Sequence, residues 1–307
     1  MAVFHQLNNL PSFTKPVLTI GSFDGVHHGH KVILSEVVKA AKDIGGESIL
    51  ITFEPHPRKI IHPEQPLGLL TAPEQKIDLI LATGIDHIVV VPFNRDFSML
   101  SATEYVEDFL LKNFNPHTII IGYDHHFGHS REGNIDLLKK LVPPEVTIVE
   151  ISAQLIEQAA VSSTKIRNAL LNGGIHIAAE MLERSYSYKA TVVHGDKIGR
   201  TIGYPTANLK PVYSDILIPG IGIYAVMAEW KGNLFKGMMS IGYRPTVTEE
   251  KILTCEVNIL DFNEDLYGQV LTVHFVQYIR GEEKFESLDD LKKQIALDEM
   301  HTRLILG

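Results

Sequence analysis

The sequence contains one cysteine, Cys255, which excludes an internal disulfide and any cysteine-rich zinc site. It has no uninterrupted apolar run near the length of a membrane span; stretches such as VLTIG and HTIIIG are strand-sized. The opening MAVFHQLNNLPSFTK lacks the basic flank and apolar stretch of a secretory leader, so a cytoplasmic protein with no membrane partner is expected. Positive charge is also scarce: 28 lysines and arginines stand against 37 acidic residues, a formal net charge of −9. That balance argues against a basic face for a nucleic-acid backbone, and no nucleic-acid partner is expected. Small anionic ligands are not excluded, because they need only a local cluster of donors. Neither an internal repeat nor a low-complexity linker is visible.

At 307 residues the chain is long enough for two domains, each with its own core. In the first half, β-branched runs at 17–20, 48–53, 87–91, 118–121 and 146–150 read as strands. Amphipathic stretches at 30–42, 73–82, 102–113 and 131–141 read as the helices between them. Apolar strands alternating with helices imply parallel crossovers and a doubly wound α/β sheet, whose ligands sit beyond the carboxyl ends of the strands. From about Tyr186 the pattern changes: runs at 189–193, 222–230, 234–241, 253–260 and 270–279 follow one another without helices between. This predicts an antiparallel barrel or sandwich. After Ser287, read as an N-cap, Leu288, Leu291, Ile295 and Leu297 alternate with charges and predict a closing amphipathic helix. The boundary is placed near Arg184, giving domains 1–184 and 185–307.

The chemistry-bearing residues follow the strands. In GSFDGVHHGH (21–30), Gly21, Gly25 and Gly29 let backbone approach a bulky anion, and the following helix start offers unpaired N–H groups to phosphate. His27 and His30 add two imidazoles that can donate hydrogen bonds there, though alone H-x-G-H is as consistent with capping the helix or binding a metal. SSTKIR (162–167) starts a predicted helix with hydroxyls and two cations, and alone is also an ordinary cap. TFEPHP (52–57) follows the second strand, its loop stiffened by Pro55 and Pro57. In GDKIGRTIGYPTAN (195–208), Gly195, Gly199 and Gly203 suit a loop that wraps a nucleotide. Thr206 and Asn208, two apart, present oxygens on one side of an extended segment, and such hard ligands suit Mg²⁺. A glycine-rich hairpin with an asparagine turn is the alternative. Glu256, between Cys255 and Val257, faces either solvent or a cavity.

Taken in this order, these segments resemble the prokaryotic bifunctional riboflavin kinase/FAD synthetases, over essentially the whole chain. The resemblance implies a Rossmann-like sheet of the HxGH nucleotidyltransferase type, followed by an antiparallel β-barrel with a C-terminal helix. It implies two ATP-dependent steps: riboflavin to FMN in the C-terminal domain, and FMN to FAD with release of pyrophosphate in the N-terminal one. Riboflavin, FMN, FAD and ATP are then the partners, with Mg²⁺ as cofactor. By the same resemblance, Gly21, Phe23, Asp24, Gly25, His27, Gly29 and His30 hold ATP, and Ser163, Thr164 and Arg167 close on its phosphates from the other side. Phe53, Pro55, Pro57, Asp124, Phe127 and Gly128 border the flavin. Gly195, Lys197 and Gly199 belong to the kinase ATP loop, Thr206 and Asn208 to the metal, and Glu256 is the base that takes the ribityl proton. His125, His126 and His129 suggest either a metal cluster or, more simply, a solvated loop. A relative keeping one activity, a class I aminoacyl-tRNA synthetase and a non-catalytic flavin sensor are the rivals. Acidic charge opposes the second, and intact His27, His30, Asn208 and Glu256 oppose the third.

Overall fold

In this computed structural model the described residues are 1–123, 125–152, 161–195, 203–244 and 252–307. Their contacts form two units, one of residues 1–67 and 73–163, the other of residues 68–72 and 164–307.

The first unit is built on β1 (Ala2–Phe4), β2 (Val17–Ile20), β3 (Ser48–Glu54), β4 (His87–Pro92), β5 (Thr118–Gly122) and β6 (Thr147–Ile151). They form one sheet in the order β1-β4-β3-β2-β5-β6, with every pairing parallel. The central strands β2, β3, β4 and β5 are largely apolar because helices cover both faces. Leu18, Ile20, Ile49, Ile51, Val89 and Val91 pack on one side with Tyr105, Val106, Phe109 and Phe114. Val17, Leu50, Ile88, Val90 and Ile120 pack on the other with Leu34, Val37, Ala41 and Ile80. Winding reverses at β2, which has β3 on one side and β5 on the other. The loop after β2 therefore opens where such sheets bind ligands.

Two helices differ from their sequence pattern. The expected helix at 102–113 is α-helical at Ala102–Glu104, π-helical at Tyr105–Leu111 and α-helical again at Lys112–Phe114. The wider turn lets Tyr105, Val106, Phe109 and Leu110 all reach the core. The helix expected from 131 starts at Ile135, because Asn134 caps it there: its Oδ1 accepts the Leu137 N–H at 3.0 Å.

The second unit centres on a closed antiparallel barrel of β7 (Ser187–Val193), β8 (Ala207–Pro211), β9 (Gly222–Trp230), β10 (Asn233–Arg244), β11 (Ile252–Ile259) and β12 (Val270–Arg280). Its order is β10-β11-β8-β7-β12-β9. Tyr188, Val192, Tyr224, Val226, Met239, Val257, Val273 and Phe275 are buried in it. Helix Ile175–Leu182 packs against β12. Residues 68–72, which follow β3 in the chain, belong to this unit through a bridge from Leu69 to Ile216.

The C-terminal helix, Leu288–Leu306, starts as expected at Ser287, whose Oγ accepts the Asp290 N–H at 3.2 Å. Its buried stripe is not the expected leucine row. Leu288 and Leu297 are exposed, whereas Asp298 and Thr302 are buried. The docking face tolerates a carboxylate because Arg280 grips Asp298 in a fork, Nε to Oδ1 at 2.9 Å and to Oδ2 at 3.1 Å, and Nη2 to Oδ2 at 2.7 Å.

Candidate functional site

The loop after β2 is built under strain. Gly25 holds φ +88°, and Phe23 and the β-branched Val26 also sit in the left-handed region, at +48° and +40°. For a β-branched residue that conformation costs on the order of 1–3 kcal/mol, a cost usually tolerated where a loop must hold a set shape. Here the turn buries Phe23 and Asp24 and sets His27 as N-cap of helix His28–Ile44. The His27 Nδ1 accepts the His30 N–H at 3.4 Å. The two rings stack with centroids 3.6 Å apart, and Phe23 lies 4.7 Å from His30 on its other side. Burial, with His27 and Lys76 close by, holds the His30 imidazole well below its ordinary value, so it is neutral at pH 7. Its Nδ1 is buried and, among the described residues, has no protein partner. A buried polar atom of this kind, at a helix N-terminus, marks a place for a ligand atom.

Other residues expected at this site stand as follows. Gly21 and Gly29 flank the loop, Gly29 within the helix. Ser163 Oγ donates to the Asp24 carbonyl at 3.0 Å, so it joins the loop directly. Thr164 and Arg167 belong to the second unit, where the Arg167 Nε donates to the Gly68 carbonyl at 2.8 Å. Pro55 follows a cis Glu54–Pro55 bond, and Pro57 opens the short helix Pro57–Ile61. Phe53 and Phe127 bury their rings in the core, Phe127 against Tyr105 at 5.3 Å, and Gly128 presses on the Ala102 backbone. Asp124 lies outside the described residues. His126 Nδ1 sits 3.2 Å from the Gly133 carbonyl, and among the described residues no group of three or more His, Cys, Asp or Glu is placed to hold a metal.

In the barrel, β8 lies between β7 and β11, and Asn208 stands directly opposite Glu256 on one side and Val193 on the other. Opposed residues share a face of the sheet. Thr206 Oγ1 donates to Glu256 Oε2 at 2.9 Å, so Thr206, Asn208 and Glu256 converge. Gly195 comes so close that a Cβ there would stand 2.1 Å from the Asn208 Nδ2. Lys197 and Gly199 lie outside the described residues. Burial pushes the neighbouring Cys255 thiol up to about 11, so it stays protonated and offers no competing nucleophile. Thr206 also lines a cleft of about 270 Å³ with Val192, Ala207, Val257, Phe262 and Tyr267.

Residues 11–165 match the FAD synthetase family, and residues 182–306 match the riboflavin kinase family. A protein of Listeria monocytogenes named bifunctional riboflavin kinase/FMN adenylyltransferase is 36% identical over 94% of this chain and 91% of its own length. The chain belongs to this family. An Escherichia coli K12 protein of the same name is also 36% identical, over 99% of this chain and 96% of its own. A crystal structure from Streptococcus pneumoniae, titled as a macrolide-efflux protein, aligns with TM-score 0.87 and 30% identity over 98% of both chains. Among the described residues, no helix is long and apolar enough to cross a membrane.

Three features of these sites go beyond what the motifs show on their own. Tyr267 stacks on His194 at 4.1 Å beside the cleft, a contact between the ends of the paired strands β7 and β12 that only pairing reveals. β8, which carries Asn208, reads in the sequence only as an extended segment around Thr206 and Asn208, because it is short and ends at Pro211. Lys76 sits in an amphipathic helix where a lysine is ordinarily at the surface, yet it is 7% exposed.

Proposed function

We propose that the two activities of the family occupy two separate sites in this chain, one for each set of motifs. The chain is an enzyme of flavin-cofactor synthesis: it phosphorylates riboflavin to FMN and adenylylates FMN to FAD, with ATP as co-substrate. We place the functional division near Arg184; the FAD synthetase match ends at residue 165 and the riboflavin kinase match begins at residue 182.

At the kinase site, Glu256 accepts the proton of the ribityl hydroxyl as that oxygen attacks the γ-phosphorus of ATP. The Thr206 hydroxyl, bonded to its carboxylate, fixes its orientation. The side-chain oxygens of Thr206 and Asn208 beside a carboxylate are a hard donor set, which fits Mg²⁺. Bound there, Mg²⁺ would neutralise charge on the ATP phosphates. Gly195, Lys197 and Gly199 are assigned to the nucleotide loop, and the adjoining cleft to the nucleotide. The observation that carries this reading is the convergence of Thr206, Asn208 and Glu256 across two strands.

At the adenylylation site, FMN brings an ionised phosphate that attacks the α-phosphorus of ATP and expels pyrophosphate. No base and no covalent intermediate are needed; positioning and charge stabilisation suffice. The helix start at His28, the imidazoles of His27 and His30, and the loop from Gly21 through Phe23, Asp24, Gly25 and Gly29 hold the triphosphate. Ser163, Thr164 and Arg167 are assigned to its other side, and Phe53, Pro55, Pro57, Asp124, Phe127 and Gly128 to the flavin. A cytoplasmic location suits both steps.

Incubation with ATP, Mg²⁺ and riboflavin, followed by flavin chromatography, tests the order. FMN should rise first and FAD at its expense. FAD formed with no FMN phase even at limiting ATP, or no product at all, would contradict it.

A further inference from the structure

Lys76 lies in the first turns of helix Pro73–Leu81 with its amine buried. Burial lowers its proton affinity, and Glu54 and Asp24 nearby favour the charged form. Its Nζ reaches three acceptors: Thr52 Oγ1 at 3.3 Å, the Phe53 carbonyl at 3.3 Å and the Ser22 carbonyl at 3.5 Å. These match the three donors of an ammonium. Thr52, itself fully buried, donates from Oγ1 to the Ser22 carbonyl at 3.2 Å. Ser22 belongs to the loop that carries His27 and His30. Thr52 and Phe53 belong to the end of β3, from which the chain passes into Glu54, Pro55 and Pro57. One buried cation thus ties the loop after β2 to the end of its neighbour β3. It also lines a cavity of about 160 Å³ with Glu54, Ile77 and Val90.

We infer that Lys76 is a positioning residue for adenylyl transfer, holding the ATP-phosphate loop and the flavin-side loop in one register through Ser22, Thr52 and Phe53. The inference rests on reading Gly21–His30 as the adenylylation site. Attack of one phosphate on another requires both substrates to be aligned to within about an ångström, and misplacement on that scale costs about a hundredfold in rate. A lysine that only supported the fold would be expected to affect melting. A lysine that sets register affects turnover with each substrate still bound.

The test uses the full chain and measures FAD formation from FMN and ATP, with riboflavin kinase turnover and a thermal melt on the same preparation. Lys76→Met, similar in length and uncharged, should lower kcat for FAD formation about tenfold to a hundredfold, with KM for ATP and FMN within about threefold. Kinase turnover should not change. Lys76→Arg, with the adjoining cavity to accept its larger head, should recover part of the loss. Thr52→Val should lower kcat less, and adding it to Lys76→Met should cost little more, since both act through one link. His30→Ala in the same assay separates the two levels of argument. If His30→Ala leaves FAD formation intact, the reading of the site falls. If His30→Ala impairs it while folded Lys76→Met keeps wild-type kcat, the role of Lys76 falls. Should Lys76→Met fail to melt cooperatively, wild-type kcat in Thr52→Val overturns it equally.

Discussion

The hydroxyl of Thr206 donates to Oε2 of Glu256 at 2.9 Å, joining residues 50 positions apart in sequence. Glu256 is half-buried on β11 and stands opposite Asn208. A base in a hydroxyl-activating role needs a fixed lone pair, and this bond fixes one. Thr206→Val keeps the shape and removes the donor. A hydrogen bond to a charged group contributes about 1.5–3 kcal/mol, so riboflavin phosphorylation should fall about tenfold to a hundredfold. Thr206→Ser should keep most of the rate, as read by FMN formation under saturating substrates. Equal losses in Val and Ser would assign the effect to packing.

Gly195→Ala tests the closeness of the barrel loop to Asn208. The new methyl would stand 2.1 Å from the amide nitrogen, so Asn208 must move. Kinase turnover should drop about tenfold or more, while FAD formation from supplied FMN stays at its wild-type rate. An alanine variant with full kinase activity would show that Asn208 need not hold its place opposite Glu256.

Much of the fold was legible in the sequence, and for identifiable reasons. The strands 17–20, 48–53, 87–91 and 118–121 are buried almost throughout, so their sequences are mostly apolar. Half-buried elements were less legible: β1 has only three residues at the sheet edge, and β8, five residues long and mostly half-buried, reads only as an extended segment. The C-terminal helix was legible as a helix but not in its docking, because a paired Asp298 took a core position that hydropathy assigns to leucine. Individual site motifs stood out, but Thr206 with Glu256, and Lys76 with Ser22 and Thr52, are contacts set by strand order, which local pattern does not encode.

Asp298 gives a stability prediction. It is buried at 2% exposure and paired with an Arg280 side chain that is 16% exposed. Removing one member leaves the other charge without its partner, which costs about 3–5 kcal/mol. Asp298→Ala should therefore lower the urea midpoint of the barrel unit, followed by loss of kinase activity, whereas Lys293→Ala, whose pair with Asp290 is exposed, should change it little.

His30 gives a pH prediction. Its folded proton affinity lies well below the ordinary value of 6.5, from burial first and then His27 and Lys76. Below about pH 6.5 the unfolded chain takes up a proton that the folded chain does not, so stability falls as pH drops from there toward the folded value. The slope from this one group is at most about 1.4 kcal/mol per pH unit. His30→Asn should flatten the decline between pH 7.5 and 5.5 in urea titrations. An unchanged slope would mean that the folded protein also protonates this ring.

The central claim is that one chain holds two independent sites, and a crossed pair of variants tests it most directly. Glu256→Gln keeps the shape of the side chain and removes the base. It should lower FMN formation by about a hundredfold to ten-thousandfold and leave FAD formation from supplied FMN unchanged. His30→Ala should do the reverse, lowering FAD formation by about a hundredfold or more with FMN formation intact. Both rates, measured on both variants from the same stocks with chemistry limiting, should show this crossed pattern. Parallel loss of the two activities in either variant, or a Gln variant with wild-type kinase turnover, would contradict the account.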